Sequence, residues 1–239
     1  MSWKEYVTST SVDSFISGLT KSFGIFYFFC AAIVPFMTEN TKKLGAILIA
    51  GSSALGFLYF LMFMEKFFYV GMLIEHALQF GAPLILYVAL YSQNFYNRYQ
   101  NAFKTLISLT FVGHALFAIG FHPVPGHFID MIINVFGMSE SAARGFLITA
   151  GTLDIIFAIL LFVQKTERVA LIFMIFWGGV TSLARIVAHL DHEQMALTSH
   201  EWVHETILRA PHFLVPLAMY LVLAQQKKAG QAGQYITSN

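Results

Sequence analysis

Histidines, carboxylates and two arginines lie within or beside long apolar segments of this 239-residue chain. Ionisable groups in a hydrocarbon environment are costly, so they usually mark a functional site. Imidazoles can ligate metals or transfer protons, carboxylates can transfer protons, and guanidinium groups can bind anionic or carbonyl groups. The candidate catalytic residues are Glu75, Asp154, Arg185, Glu205 and Arg209. The candidate metal ligands are His76, His114, His189, His192, His200, His204 and His212.

The segment His200-Glu201-Trp202-Val203-His204 fits the pattern H-E-x-x-H. On a helix this spacing puts two imidazoles on one face to hold zinc, with the glutamate as general base of a membrane zinc hydrolase. The same stretch also fits a capping box, with Thr198 as N-cap and Glu201 at the third helical position. Third ligands at the familiar spacings are absent, so the zinc hydrolase is an alternative rather than the main prediction.

The last apolar segment carries Glu205, Arg209 and His212, which share one helix face. Either Glu205 and Arg209 form an interfacial ion pair, or Arg209 binds an anionic group while His212 ligates a metal or transfers a proton. Pro211 and Pro216 are expected to kink this helix and free backbone carbonyls.

Arg185, His189 and His192 form a second stripe at i, i+4 and i+7. Arg185 is expected about one turn inside the membrane, where it needs an acidic partner, and Asp154 or Glu75 is the natural choice. The pair is either a structural lock or part of the site. His189 and His192 are also spaced to chelate one metal.

His76, His114, His189 and His212 belong to four different predicted helices at similar depths. Four converging imidazoles are typical of a metal site or a bis-histidine haem site. The cofactors considered are therefore a transition metal (iron, copper or zinc) or haem b. The single cysteine, Cys30, excludes an intramolecular disulfide relay, a Cys-ligated iron–sulfur site and covalently attached c-type haem.

The composition indicates a membrane protein. The chain is 57% hydrophobic and 11% charged, whereas soluble domains are about 25% charged. Residues 44–64 contain no charge, which is long enough to cross a bilayer. The net charge of +1 indicates no nucleic-acid surface.

We predict an all-α, polytopic transmembrane helical bundle forming one domain over residues 1–226. Its seven spans are expected at about residues 19–38, 44–64, 67–91, 105–121, 145–163, 169–189 and 205–226. A short interfacial helix is expected before Gly137, and the polar tail 227–239 is expected to be disordered.

Lysine and arginine in the short connecting segments predict the orientation, with the N-terminus out and the C-terminus in. Eight of these residues fall in the segments assigned to the cytoplasm, including Lys104, and four in the opposite segments. All nine histidines then lie in the outer half, and no buried charge is expected in the inner half. The localisation predicted is the plasma (inner) membrane, with the His-rich loops on the non-cytoplasmic side.

Part of the chain resembles the DoxX-like group of small membrane proteins. The resemblance is carried by Gly113-His114-Ala115-Leu116-Phe117, by the loop His122-Pro123-Val124-Pro125-Gly126-His127, by Gly137-Met138-Ser139 and by Gly151-Thr152-Leu153-Asp154-Ile155. It implies a four-helix unit over residues 105–226 and a link to redox processes at the membrane. His114 and Asp154 are the positions that the resemblance assigns to the site.

The function predicted is a metal- or haem-dependent membrane oxidoreductase that acts on an apolar or anionic small molecule. A proton-coupled carrier, a structural or accessory subunit and the zinc hydrolase are the alternatives. Against a carrier, the sequence has no evident inverted repeat and no polar path in the inner half. The partners expected are the lipid bilayer and a second copy of the chain, through the small residues of span 2.

Overall fold

The computed structural model describes the backbone of residues 2–190 and 195–237, without the side chains of residue 6, residues 195–201 and residues 227–237. The described residues form helices and connecting turns, with no β-strand. The helices are α1 (Trp3–Thr8), α2 (Thr10–Ile33), α3 (Ala46–Glu65), α4 (Val70–Ile74), α5 (Ala77–Tyr91), α6 (Phe95–Ala118), α7 (Gly126–Phe136), α8 (Glu140–Leu160), α9 (Glu167–Ala188), α10 (Met195–Leu208) and α11 (Pro211–Thr237). A 3₁₀ turn at Val34–Phe36 extends α2.

Six helical stretches are long and apolar enough to cross a membrane, as expected of an integral membrane protein. They are Thr10–Phe36, Ala46–Glu65, Val70–Tyr91, Glu140–Leu160, Glu167–Ala188 and Trp202–Gln226. The prediction of an all-helical membrane bundle is therefore confirmed. The predicted N-terminal span begins earlier than expected, because the helix already starts at Thr10.

The segment predicted as the fourth span lies in α6, which is not among these six stretches. The first half of α6 is polar, yet eleven residues of this helix are buried. Its hydroxyl groups bond to neighbouring helices: Thr110 accepts the Leu78 N–H at 3.0 Å, and Ser108 donates to the Ala158 carbonyl at 3.1 Å. Because α6 packs against α5 and α8, protein groups surround its buried polar side chains Lys104, Ser108 and Thr110, whereas most of the polar residues of its first turns are exposed.

Two of the apolar stretches are interrupted. The first breaks at Glu75 and His76, between α4 and α5, and His76 has φ −96° and ψ 6°. The second breaks between α10 and α11, immediately before Pro211. Proline has no N–H and disfavours helical geometry in the residue before it, which explains the second break. The kink expected from Pro211 is therefore present as a full interruption.

An apolar core fills the bundle where α5, α6, α8, α9 and α11 meet. Leu78, Ile107, Leu171 and Met174 are completely buried in it. Beyond this core, Lys104 and Glu167 form a buried ion pair at 3.0 Å, and the Tyr96 hydroxyl donates to the same carboxylate at 3.3 Å.

The Lys104–Glu167 pair corrects the expectation that the half of the bundle away from the histidines has no buried charge. Because α6 begins at Phe95, Lys104 lies inside the helix and not in a loop. Ten residues separate it from His114, about 15 Å along the helix. The ion pair and the histidines therefore lie at opposite ends of the apolar core.

The remaining predicted elements compare as follows. The short helix expected before Gly137 is present as α7, which ends at Gly137 with φ 64°, a left-handed conformation that suits glycine. The helix α10 already begins at Met195, so Thr198 lies inside it and the capping-box interpretation is wrong. The helix α11 continues to Thr237; the side chains of the tail lie outside the described part, and its disorder stays a prediction.

Candidate functional site

The two helix breaks meet beside α6. Gly113 of α6 lies against the first break, where a Cβ atom would lie 2.6 Å from the Glu75 Cα and 2.7 Å from the Glu75 Cβ. Gly178 of α9 lies against the second break, where a Cβ would lie 2.7 Å from the His212 carbonyl oxygen. These glycines allow both interrupted helices to approach their neighbours at backbone distance.

His114 connects the two breaks. Its Nδ1 lies 3.0 Å from Oε2 of Glu75, and its Nε2 lies 3.1 Å from Nε2 of His212. Glu75 and His212 are 6% and 3% exposed, so water has little access to either group. The Arg209 guanidinium contacts the same Nε2 of His114 at 3.3 Å, and His212 Nδ1 donates to the Arg209 carbonyl at 2.9 Å.

These contacts form a continuous hydrogen-bonded chain, called the relay below, along which a proton can move. The Arg209 carbonyl can only accept, so Nδ1 of His212 carries a proton and Nε2 of neutral His212 can accept one. In the first state Glu75 is protonated, and the Nε2–H of His114 donates to His212. If each shared proton moves one position along the relay, Glu75 becomes a carboxylate, His114 holds its proton on Nδ1, and His212 becomes a cation. In this second state the Nε2 of His114 accepts the Nε2–H of His212, and the Arg209 N–H at 3.3 Å shares the same acceptor.

Arg185 pairs with Glu205, in contrast to both partners expected from the sequence. The interfacial Glu205–Arg209 pair is also absent from the described side chains, because Glu205 contacts the neighbouring helix α9 instead. Arg185 is 3% exposed, whereas the Glu205 side chain is 38% exposed. The pair therefore joins a buried guanidinium to a carboxylate that still reaches water.

The predicted group of four imidazoles does not converge. His189 donates to the Arg185 carbonyl at 2.8 Å and stacks on Trp202, with ring centroids 3.6 Å apart. His76 contacts the Met72 carbonyl and stacks on Tyr59 at 4.0 Å. Only His114 and His212 face one another, because the rotation of each helix, rather than depth alone, decides which imidazoles meet.

The described residues contain no group of three or more His, Cys, Asp or Glu side chains placed to hold a metal ion. A haem iron between two imidazoles needs each nitrogen about 2 Å from the metal, on opposite faces of the macrocycle. His114 and His212 instead contact each other directly, which leaves no room for haem b between them. His192, with the side chains of His200 and Glu201, lies outside the described part, so the H-E-x-x-H hypothesis stays a prediction.

Two cavities adjoin the relay. The polar cavity, of about 340 Å³, is lined by Tyr59, Glu75, His76, Gln79, His127, Arg185, His204, Glu205 and Arg209 among others. The apolar cavity, of about 150 Å³, lies between α6, α7, α8 and α9 and is lined largely by aromatic and aliphatic side chains. Phe128, Arg185 and Arg209 line both, so the two guanidinium groups form part of a shared wall.

Asp154 lies in the wall of the apolar cavity rather than the polar one. It is 4% exposed, and its Oδ1 has no hydrogen-bond partner among the described residues. The Arg185 Nε likewise has none in this part of the chain. Buried polar atoms without partners are uncommon in proteins, and both of these belong to residues that line the cavities.

Sequence reasoning missed three polar residues of the polar cavity: Tyr59, Gln79 and His127. Tyr59 and Gln79 are polar side chains inside apolar spans, which was the available signal. Burial lowers the pKa of His127, and Arg185 and Arg209 lower it further. His122 has a structural role, because its Nε2 accepts the Gly71 N–H at 3.2 Å.

Comparisons of the chain with protein-family models, with curated proteins and with solved structures gave no match. The DoxX-like resemblance therefore remains an interpretation of the sequence. Of its two assigned residues, His114 is central to the relay and Asp154 lines the adjoining apolar cavity. The function has to be argued from the site alone.

Proposed function

We propose that this integral membrane protein is a proton-coupled carrier, in which a ligand in the polar cavity exchanges protons with Glu75, His114 and His212. The observation that carries the proposal is the meeting of two helix breaks at a continuous, buried contact from a carboxylate through two imidazoles. Interrupted membrane helices are a frequent feature of carrier binding sites, because the breaks free backbone groups and allow motion around the ligand.

The relay gives the coupling a physical basis. Arg209 contacts His114 Nε2, so a ligand that draws the guanidinium away changes the relative stability of the two proton arrangements. Ligand binding and the protonation of Glu75 are thereby linked, and linkage of two binding events is reciprocal.

The conformation described here supports access from one side. The apolar core around Ile107 and Leu171 separates the relay from the Lys104–Glu167 pair. With the orientation predicted from lysine and arginine, the polar cavity faces the non-cytoplasmic side of the plasma (inner) membrane. The apolar core and the ion pair would then have to open for release on the other side.

Cysteine accessibility tests this without a known ligand. In a Cys30→Ser background, Ile107→Cys and Leu171→Cys introduce thiols into the apolar core, and Gln79→Cys introduces one into the polar cavity. A membrane-impermeant maleimide is applied to the full-length protein in lipid nanodiscs between pH 5 and pH 8. If the protein is a carrier, the maleimide labels Gln79→Cys and also labels the two core cysteines in a fraction of the molecules that depends on pH. Labelling at Gln79→Cys alone at every pH would refute the carrier.

A metal-dependent oxidoreductase is the second candidate. It is favoured by the facing Nε2 atoms of His114 and His212, whose 3.1 Å separation suits two ligands of one zinc or copper ion. The neighbouring Arg209 cation counts against it. Metal analysis of protein never exposed to chelators or nickel resin tests this candidate. Stoichiometric metal that is lost in the double variant His114→Ala/His212→Ala would support it, and metal-free protein would exclude it.

A further inference from the structure

We infer that the ligand is an amphipathic monocarboxylic acid whose carboxylate binds Arg185 and Arg209 in the polar cavity while its apolar body enters the apolar cavity. This inference rests on the proposed function and names the ligand class for the same site. Arg185 and Arg209 line both cavities, so a molecule that binds them through its carboxylate has the apolar cavity within reach of its body.

The charges at the shared wall favour an anion. Glu75 is engaged with His114, and Glu205 with Arg185. Among the described side chains Arg209 has no ion pair, and its contact is with the Nε2 of His114. A carboxylate is the group that guanidinium binds best, through two parallel hydrogen bonds. The Arg185 Nε, without a partner in the described part, can supply a further donor.

Glu205 marks the position that the ligand carboxylate would take. It is itself a carboxylate on Arg185, and its partial exposure lets it turn toward water when displaced. Arg185 is buried and cannot follow it. The ligand therefore competes with Glu205, and removing the Glu205 charge should tighten binding rather than weaken it.

The apolar cavity selects the body of the ligand. Five aromatic side chains contribute to its wall: Phe111, Phe128, Phe136, Phe146 and Trp177. Such a lining favours hydrocarbon over polar groups. Apart from Arg185 and Arg209, no described lysine or arginine lines this cavity, so a second carboxylate at its far end would have no cation to bind, which argues for a monocarboxylate over a dicarboxylate.

Quenching of Trp177 fluorescence tests the inference directly. The full-length protein carries Trp3→Phe and Trp202→Phe, which leaves Trp177 as the one tryptophan of the three, and is placed in nanodiscs. The probe is 10-bromodecanoate, competed with decanoate, decanol or decyltrimethylammonium. Arg209→Gln and Glu205→Gln are the site variants. Glu140→Gln is the matched control, because Glu140 forms an exposed ion pair with Arg144 at 2.7 Å.

We expect saturable quenching that decanoate reverses and the other two compounds do not. Arg209→Gln should weaken binding about tenfold or more, the size expected for one charged hydrogen-bonded contact. Glu205→Gln should tighten it, and Glu140→Gln should leave it unchanged. Equal competition by decanol, or unchanged affinity in Arg209→Gln, would overturn the inference.

The two proposals fail in different ways. If decanoate binds as expected but the core cysteines are never labelled, the ligand class stands and the carrier does not. If the core cysteines are labelled in a pH-dependent manner but quenching is not saturable, the carrier stands and the ligand class is wrong.

Discussion

Gly113→Ala should separate the first helix break from α6 and disrupt the relay. The added methyl group would lie 2.6 Å from the Glu75 Cα and 2.7 Å from its Cβ, well inside van der Waals contact. Both sides of this contact are backbone or its first side-chain atom, so neither can move aside by changing a rotamer. Overpacking of this kind costs about 1–3 kcal/mol.

Gly145→Ala is the matched control, because Gly145 lies inside α8 and a Cβ there meets nothing within 4 Å. Alanine at an open helix position stabilises by about 1 kcal/mol relative to glycine. Gly113 also lies inside a helix, so this gain is common to both variants, and their unfolding free energies should differ by the overpacking cost of about 1–3 kcal/mol.

The assay is reversible unfolding of the purified protein in mixed micelles, followed by circular dichroism. Infrared difference spectroscopy between pH 5 and pH 8 adds a second readout, since the carboxyl band assigned to Glu75 by its loss in Glu75→Gln should change in Gly113→Ala and not in Gly145→Ala. Equal stability of the two variants, with the same carboxyl band, would refute the close approach of Glu75 to α6.

Three further outcomes follow from the contacts. Lys104→Met should lower the unfolding free energy by about 3–5 kcal/mol, because it leaves the buried Glu167 without its cation. Arg185→Met should lower it less, since its partner Glu205 is partly exposed and can be solvated. A larger loss in Arg185→Met than in Lys104→Met would contradict both assignments. Burial lowers the pKa of His122, so its neutral form stabilises the fold fully above about pH 6.5 and this contribution is lost as the pH falls toward the lowered pKa. His122→Gln keeps an acceptor for the Gly71 N–H without titrating and should flatten part of that pH dependence, whereas an unchanged stability profile would remove His122 from it. Gly178→Ala should destabilise by about 1–3 kcal/mol, because its Cβ would meet the His212 carbonyl, and a stability equal to that of the Gly145→Ala control would show that α11 does not approach α9 so closely.

Several elements could be predicted because they depend on local properties. Runs of uncharged apolar residues predict the spans, Gly137 predicts the end of α7, and Pro211 predicts a disturbance in the last span. The break at Glu75 and His76 had no such signal. Gly113 lies opposite this break, and no sequence pattern indicates which helix a glycine faces.

The same distinction between local properties and contacts across helices applies to the site. The ionisable residues themselves were identified from the sequence, since an Arg, Glu or His inside an apolar run is conspicuous whatever the fold. Their partners were not: Arg185 pairs with Glu205 rather than Asp154 or Glu75, and Asp154 lies apart from every ion pair of the described residues. The depth of a residue along its helix follows from its residue number. Which side chain it meets depends on how neighbouring helices are rotated about their axes, and the sequence does not give that rotation.

The sequence by itself determined that this chain is a helical membrane protein and which residues are expensive to bury. Both properties are sums over side chains, and they hold in any arrangement of the helices. Only the tertiary structure decided that Glu75, His114 and His212 form one relay and that Arg185 and Arg209 lie between two cavities. Those relations depend on how helices approach and rotate, and Gly113 and Gly178 each allow a close contact with a residue more than thirty positions away along the chain.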